Sequence, residues 1–554
     1  MHHLTALLRR LRREHGFSMP AVMGTMTVTI GLSLVALTAA GGDQHQARHD
    51  QDFKRSYAAA EAGINEYLFH LNEDASYWTR CTGVPAPAKI NQRGANPLQR
   101  RAVPGTDAEY AIELLPQPPA TACDPNNSLS MIDPSAGTIR IRSTGFARKA
   151  DRSLVATFRR IGFVDFLYYT NYETANPVSY RINTGGYPPS GGSFSDSSGT
   201  YTDIQDWASV NCGRYYDQRR NASVSYDVRR NRSDLRVDIS CTEINFITGD
   251  GVDGPLHTND QLLVCGQPVF GRNVNGVRDK IEAVHPSGWR GNSGCSNNNP
   301  NFVGERRFGA GTLSPPSVGV LRNVVDPAYL FTGRTQIELN GSNLRITNGG
   351  VTQTVPPPSN GVIFVQNGGG TCGFYDPINT QLVDDQCGDV EIQGTYGFDL
   401  TVAAERDVRI MANIQQANGA NKMLGLIADN FIRVHHPVTN LSSTYNSSSD
   451  RFSWACNNDG GVAVNRIDAA MLSINHSFTV DNYFCGNALG TLTVNGAIAQ
   501  NYRGTVGTFG SNNTGYIKDY NYDDRLKYRQ PPHFLDPIQT GWRVIRQTEQ
   551  TTAP

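Results

Sequence analysis

The sequence predicts a mainly β protein with an N-terminal transmembrane and amphipathic α-helix, a small antiparallel sheet and a parallel β-helix-like domain. Three observations support this fold class. An uncharged stretch of about 24 residues, from Phe17 to Ala40, is long enough to span a bilayer as a helix. Apolar and polar residues alternate in several runs between residues 109 and 159, which is typical of half-buried strands. Many short apolar runs bounded by Gly, Asn or Asp follow residue 249.

Arginines at positions 9, 10, 12 and 13 directly precede the uncharged stretch. Basic residues stay on the cytoplasmic side of a membrane, so we expect one spanning helix with the bulk of the chain outside. An ordinary secretory signal peptide has a shorter apolar region than this one. A plain signal anchor fits the length.

The junction between Gly16 and Phe17 lies after the basic residues and before the apolar stretch. This arrangement resembles the class III leader of type IV pilins and related pseudopilins. The resemblance implies that a membrane-embedded prepilin peptidase cuts after Gly16 and leaves Phe17 as the first residue. Major pilins usually carry Glu at the fifth mature position, which is Ala21 here, so the pattern is closer to minor or accessory subunits. The alternative is a plain anchor in which the Gly-Phe pair occurs by chance.

The helix is expected to continue beyond the membrane. Apolar residues recur at steps of three and four from Phe53 to Leu71, the pattern of an amphipathic helix. The segment from Ser56 to Leu68 also resembles the helix continuation of minor pilin-like proteins. In that family a helix of this kind is followed by a small antiparallel sheet, which the alternating runs at 109–114, 138–145 and 153–159 supply here.

These patterns divide the chain into six expected segments. They are a basic leader (1–16), the membrane helix and its continuation (17–78), a small pilin-like sheet unit (79–165), a polar insertion (166–248), a β-helix-like domain (249–545) and a tail (546–554).

The β-helix prediction depends on strand pairs joined by sharp corners. LTVAAERDVRI at 400–410 and LGLIADNFIRV at 424–434 look like successive edges of one coil. A β-sandwich is the alternative, and it requires longer runs of alternation. These motifs, with GPLHTND at 254–260, resemble a β-helical ectodomain of bacterial pilin-associated proteins over most of residues 250–545. The resemblance implies a fold and no catalytic residues.

All ten cysteines lie beyond the apolar stretch. An even number in an extracytoplasmic chain indicates five disulfides, although sequence alone leaves the connectivity open. The simplest pairing joins neighbours in order: Cys81 with Cys123, Cys212 with Cys241, Cys265 with Cys295, Cys372 with Cys387, and Cys456 with Cys485. No CxxC pair occurs, so a cysteine metal site is not expected.

Two adjacent carboxylate pairs are the candidates for glycoside hydrolysis, Asp384–Asp385 and Asp523–Asp524. Adjacent residues on a strand point to opposite faces, and both pairs lie among turn residues, where Asp is common. The sequence therefore favours turns at both places. No GxSxG, HExxH or phosphate-loop motif occurs, and no catalytic residue is predicted.

Histidines and aspartates are the candidate metal ligands. His257 beside Asn259 and Asp260 fits a hydrogen-bonding corner better than an acid–base or metal site. His435 and His436 diverge if they lie on a strand, which leaves one ligand at most. Asp250 and Asp253 lack the rest of a twelve-residue calcium loop. We expect no metal and no cofactor.

The formal net charge of -1 gives no electrostatic argument for binding nucleic acid. We expect a surface-exposed, pilin-like accessory or structural protein of a type IV pilus-related system, acting in priming, capping or adhesion, and not an enzyme. Its expected partners are the bacterial cell membrane, other pilin-like subunits and their assembly machinery, the prepilin peptidase, and a surface or glycan ligand. The alternatives are a membrane-anchored carbohydrate-active β-helix enzyme and a plain anchored adhesin without a pilus link.

Overall fold

The computed structural model describes residues 18–74, 77–81, 90–92, 100–125, 130–133, 137–148, 150–179, 194–196, 199–202, 206, 244–292, 294–369, 372–373, 375, 380, 384–446, 451–461, 463–508, 513–527, 529–537 and 541–550. Gly16 and Phe17, at the predicted leader junction, and Cys212 and Cys241 lie outside these residues. The chain divides into two compact units. Unit 1 comprises Met1–Ile132, Ile139–Phe158 and Val544–Pro554, and unit 2 comprises Asp133–Thr138 and Arg159–Arg543.

One long helix, α1 (Ser18–Glu73), precedes the strands. The strands up to residue 201 are β1 Ile90–Gln92, β2 Arg101–Ala102, β3 Glu109–Leu115, β4 Thr138–Ala147, β5 Ala150–Arg160, β6 Tyr168–Ala175, β7 Phe194–Asp196 and β8 Gly199–Tyr201. Those up to residue 355 are β9 Phe246–Ile247, β10 Gly251–Asp253, β11 Leu256–Thr258, β12 Leu262–Cys265, β13 Val269–Phe270, β14 Asn273–Val274, β15 Val277–Arg278, β16 Lys280–Ala283, β17 Trp289–Gly291, β18 Asn301–Phe302, β19 Glu305–Phe308, β20 Leu330–Thr332, β21 Thr335–Gly341, β22 Asn343–Asn348 and β23 Val351–Val355. The rest are β24 Val362–Gln366, β25 Val390–Tyr396, β26 Leu400–Ala404, β27 Val408–Gln416, β28 Leu424–Ala428, β29 Ile432–Val434, β30 Val438–Asn446, β31 Arg451–Asn458, β32 Arg466–Ser473, β33 Phe478–Val480, β34 Ala488–Arg503, β35 Gly507–Thr508, β36 Thr514–Tyr522 and β37 Trp542–Gln550. Short 3-10 helices cover Tyr77–Arg80, Phe163–Asp165, Pro177–Ser179, Val318–Asn323, Pro327–Tyr329 and Asp524–Lys527.

In unit 1 the C-terminal half of α1 packs on the sheet. Its buried face carries Ala60, Ile64 and Tyr67 at the predicted steps of three and four. The helix backbone comes so close to β4 that a Cβ at Gly145 would overlap the carbonyl oxygen of Ser56 and the amide of Ala60. A side chain of any size is therefore excluded at Gly145, and this glycine sets how close helix and sheet can be.

The sheet of unit 1 has the order β1-β3-β4-β5-β37, with β2 paired to β3. The predicted antiparallel pairing is present between β3 and β4, where Tyr110 lies opposite Gly145, whereas β1 joins β3 in parallel. The last strand, β37, extends to Gln550, which lies within the predicted tail (546–554). Arg142 donates to the Gln550 side chain and Arg152 forms an ion pair with Glu549, so the far end of the chain is held on this sheet.

Unit 2 contains two parallel ladders whose strands alternate along the chain. One ladder joins β24, β26, β28, β32 and β34, and the other joins β25, β27, β29 and β33. Consecutive strands such as β26 and β27 are separated by three residues, Glu405 to Asp407. The apolar side chains of both ladders belong to one buried cluster that includes Val402, Ile410 and Leu426.

Strand pairing at the end of the first ladder of unit 2 does not follow chain order. The N-terminal half of β34 pairs with β36, and its C-terminal half pairs with β6. β6 in turn pairs with β11, and β36 pairs with β10. Early strands of the unit therefore lie against its last strands. β6 also begins the predicted polar insertion, yet Tyr168, Tyr169 and Thr170 on it are buried, because its neighbours cover it on both sides.

The mainly β class with a long N-terminal helix is confirmed. The winding of the ladders into a parallel β-helix stays a prediction. Within the described residues, no helix combines the length and the hydropathy that a membrane crossing requires.

Candidate functional site

The two halves of α1 differ in what covers them. From Met19 to Val35 every described side chain is exposed, and the large apolar ones are 56% to 74% exposed. They are Met19, Val22, Met23, Met26, Val28, Ile30, Leu32, Leu34 and Val35. A continuous exposed apolar surface of this extent marks an interaction site.

The threonine hydroxyls of this exposed half are satisfied within the helix. The hydroxyls of Thr25, Thr27 and Thr29 each donate to a carbonyl oxygen three or four residues earlier. These groups therefore need no water as a partner, which is the requirement for packing against other apolar helices or lipid. We call Met19–Val35 the bare half of α1.

A polar cavity of about 370 Å³ lies in unit 2 and is the second candidate site. Tyr396, Tyr522, Asp468 and Asp523 are among the residues that line it. Its volume falls within the range of small-molecule sites.

Each carboxylate of the cavity is bonded to a cation. Asp468 accepts from Arg466 Nε at 3.0 Å and from the Asn495 amide at 2.7 Å. Asp523 binds both ends of the Arg525 guanidinium, at 2.9 and 2.6 Å.

Asp524, the third carboxylate of the cavity, pairs with Lys527 and Arg272. Burial acts to raise the pKa of Asp524, but these two bonds outweigh burial and lower it. A glycosidase acid requires the opposite shift. The predicted Asp523–Asp524 turn thus lies at the cavity, and its Asp524 is unsuited to proton donation.

The histidine candidates are structural. His257 is 1% exposed, with Nδ1 at 2.9 Å from Glu282 and Nε2 at 3.0 Å from the Asn259 side chain. His435 Nδ1 accepts from Arg409 at 2.7 Å, whereas His436 contacts the Asp481 carbonyl and the Asn458 side chain. Each ring is therefore engaged by protein groups. Within the described residues no group of three or more His, Cys, Asp or Glu side chains is placed to hold a metal.

The other aspartate candidates are also engaged by protein groups. Asp384 and Asp385 lie in a turn, where Asp384 accepts from the Gln386 amide and Asp385 from Arg334. Asp250 accepts from the ammonium of Lys518. Burial raises the pKa of Asp253, against a smaller opposing effect of Arg272.

A buried charge network on β27 and β29 was not foreseen from the sequence. The register places Glu391, Arg409 and Arg433 side by side on three neighbouring parallel strands. Arg409 and Arg433 both donate to Asp481, at 3.2 and 2.9 Å. Burial acts to raise the pKa of Asp481, but Arg433, His435 and Arg409 together hold it well below its usual range. The signal in the sequence for this network was the presence of one arginine within each of two short apolar runs, Arg409 in β27 and Arg433 in β29.

Four disulfides occur in the described residues, and each joins neighbouring cysteines in chain order. They are Cys81–Cys123, Cys265–Cys295, Cys372–Cys387 and Cys456–Cys485. The first lies in unit 1 and the other three in unit 2. Disulfides of this density belong to proteins that fold in oxidising compartments.

No protein-family profile matches the chain, and no curated protein matches it. Among solved structures, the competence-associated pilin ComZ from Thermus thermophilus is similar at 12% identity and a TM-score of 0.28, over 90% of this chain and 97% of that chain. We infer nothing about this chain from a likeness of that size.

Proposed function

We propose that this chain is an extracytoplasmic, pilin-like accessory subunit of a type IV pilus-related system, and that it is not an enzyme. The observation that carries the proposal is the division of α1 into two halves. One half is covered by the sheet of unit 1, while the bare half leaves an apolar surface whose threonine hydroxyls are bonded to carbonyl oxygens of the same helix. A helix with this division fits a subunit whose N-terminal half is covered by equivalent helices of neighbouring subunits or by lipid.

The leader pattern supports the same proposal. Gly16 and Phe17 lie just before the first described residue of α1. Cleavage after Gly16 would place the new N-terminus at the start of the helix, as the resemblance to class III leaders implies. The four disulfides favour an extracytoplasmic location for the rest of the chain.

Unit 2 is the displayed part in this proposal. The chain leaves unit 1 after β5 and returns to it as β37, so the large unit is an insertion into the small sheet. We propose that its alternating parallel ladders wind as a parallel β-helix. Such a body presents loops and lateral faces to a partner, as an accessory role in adhesion, priming or capping requires.

A binding role for the polar cavity is the second candidate, and it is compatible with the first. Tyrosines beside paired Asp, Asn and Arg groups suit a polar ligand such as a glycan. The carboxylates are neutralised by arginines, which favours binding over hydrolysis.

N-terminal mass spectrometry of the extracted full-length protein tests the proposal. A chain that begins at Phe17, with or without a methyl group, is the expected result. Gly16→Val should block this processing, whereas Gly24→Val is the matched control, because nothing surrounds Gly24 within 4 Å. A mature chain that begins at Met1 would overturn the pilus assignment and leave an anchored surface protein.

A further inference from the structure

Lys518 and Asp250 meet in the interior of unit 2. The Lys518 ammonium donates to Asp250 Oδ2 over 2.9 Å, and the two side chains are 11% and 3% exposed. The contact follows from strand register. β10 and β36 are parallel, with Gly251 opposite Asp519, and the pair lies one residue earlier on each segment.

The surroundings of this pair are apolar and crowded. The ring of Phe246, itself buried, lies 5.9 Å from Lys518 Nζ. The guanidinium of Arg503 stacks 3.6 Å above the same ring and donates to Glu173 at 3.1 Å. Water is therefore largely excluded from the Lys518 amine.

The electrostatics favour a neutral amine. Burial lowers the pKa of Lys518, and the nearby charge of Arg503 lowers it further, against the opposing effect of Asp250. Burial also raises the pKa of Glu173, which carries its carboxyl group in the same interior. A lowered pKa increases the share of the neutral amine, which is a nucleophile, whereas the ammonium is not.

We propose that Lys518 and Asp250 become joined by an isopeptide bond within the folded chain. The bond forms between Lys518 Nζ and Asp250 Cγ, and one Cγ–O bond breaks. The departing oxygen takes two of the three ammonium hydrogens and leaves as water, and the third stays on the amide nitrogen. The charged pair thus becomes a neutral amide plus water, with no other reactant required.

Two features of the structure promote this step. The strands hold amine and carboxyl in contact, and fixed geometry of this kind is worth effective molarities on the order of 10⁵–10⁸ M. The dry interior disfavours the separated charges and opposes the return of water to the amide. The bond would join the residue before β10 to a residue within β36, and so would lock this pairing between an early strand of unit 2 and one of its last strands. This inference does not depend on the proposed pilus role.

Mass spectrometry of the full-length protein, reduced and alkylated under denaturing conditions, tests the proposal. The expected intact mass is one water lighter than that of the processed sequence. Digestion should yield a branched peptide that contains Lys518 and Asp250, with almost complete loss of the free Lys518 peptide. An amine-reactive label applied after denaturation should miss Lys518.

The matched control lies in the same chain. Lys422 Nζ is 3.1 Å from Asp399 Oδ2, but that pair is exposed, at 40% and 23%. Its peptides should be unlinked and Lys422 should be labelled. Lys518→Arg and Asp250→Ala should each restore the full mass.

Two results would overturn the proposal. One is a wild-type mass equal to that of the sequence, with a free Lys518 peptide. The other is loss of water with Lys518 still free, which would indicate a succinimide at the Asp250–Gly251 step. Both results come from the intact mass and peptide map of the wild-type protein, so poor folding of a variant does not affect them.

Discussion

Arg433 and Asp481 form an ion pair that is almost completely buried. Arg433 Nε lies 2.9 Å from Asp481 Oδ1, and the two side chains are 5% and 0% exposed. Asp481 also binds Arg409, and Arg433 also binds Asp407 and stacks on the ring of Tyr375 at 4.0 Å. Such a network connects β27, β29 and the residue that follows β33, so it fixes how these strands lie relative to one another.

Asp481→Ala should lower the free energy of unfolding by about 3–5 kcal/mol, because it leaves two arginines buried without their shared carboxylate. Chemical denaturation measures the change. Asp385→Ala is the matched control, since Asp385 also pairs with an arginine but is 75% exposed. Its effect should be about 0–1 kcal/mol. Equal effects of the two substitutions would contradict the structural role of Asp481.

Asp407 should make stability depend on pH. Burial raises its pKa to about 6, with a smaller opposing effect of Arg433 and a further rise from Asp389. The folded chain then binds this proton more tightly than the unfolded chain, whose Asp has a pKa of about 3.9. The stabilising contribution is complete below that value and is lost as the pH rises through about 6.

Asp407→Asn should therefore flatten the dependence of unfolding free energy on pH between about 4 and 6. Denaturation at several pH values across this interval measures the slope. The same slope in Asp407→Asn and in wild type would assign the titration to another group.

Gly145→Ala should destabilise unit 1 by about 1–3 kcal/mol, because the added methyl group overlaps the backbone of α1. Thermal melting and proteolysis of α1 report the loss. Gly311→Ala serves as the control, since nothing lies within 4 Å of a Cβ there. Unchanged melting of the Gly145 variant would show that helix and sheet are further apart in solution.

Val28→Asp should remove the protein from the sheared pilus or membrane fraction without lowering the stability of unit 1. Val28 is 61% exposed in the bare half of α1. The carboxylate of an aspartate at this position would therefore be buried only where a partner subunit or lipid covers the helix. Val28→Leu is the control that keeps the surface apolar. Fractionation followed by immunoblotting measures the distribution, and an aspartate variant that fractionates like wild type would count against a role of this surface in assembly.

Loss of the Cys372–Cys387 disulfide should cost about 3 kcal/mol, the value for a loop of 15 residues in the chain-entropy model. The double variant Cys372→Ser/Cys387→Ser tests this by denaturation with the other disulfides intact.

Non-reducing peptide mapping of the wild type also reveals whether Cys212 pairs with Cys241. A Cys212 peptide joined to any other cysteine would contradict the in-order pairing there.

Features that depend on local pattern could be predicted from the amino-acid sequence. The steps of three and four from Phe53 to Leu71 determined the helix and its buried face, because an apolar stripe of that period can be covered only on one side. Strand positions such as 400–404 and 424–428 followed from short apolar runs between turn residues. The turn character of Asp523 followed from its neighbours.

Contacts between residues distant in the chain are visible only in the tertiary structure. β37 joins β5, β6 joins β34, and Asp250 meets Lys518, across separations that no periodicity records. Arg409 and Arg433 are buried because Asp481, the residue after β33, supplies their counter-charge. The register between strands depends on the packing of the whole ladder. The partners of any one residue are therefore defined only when the strands have paired.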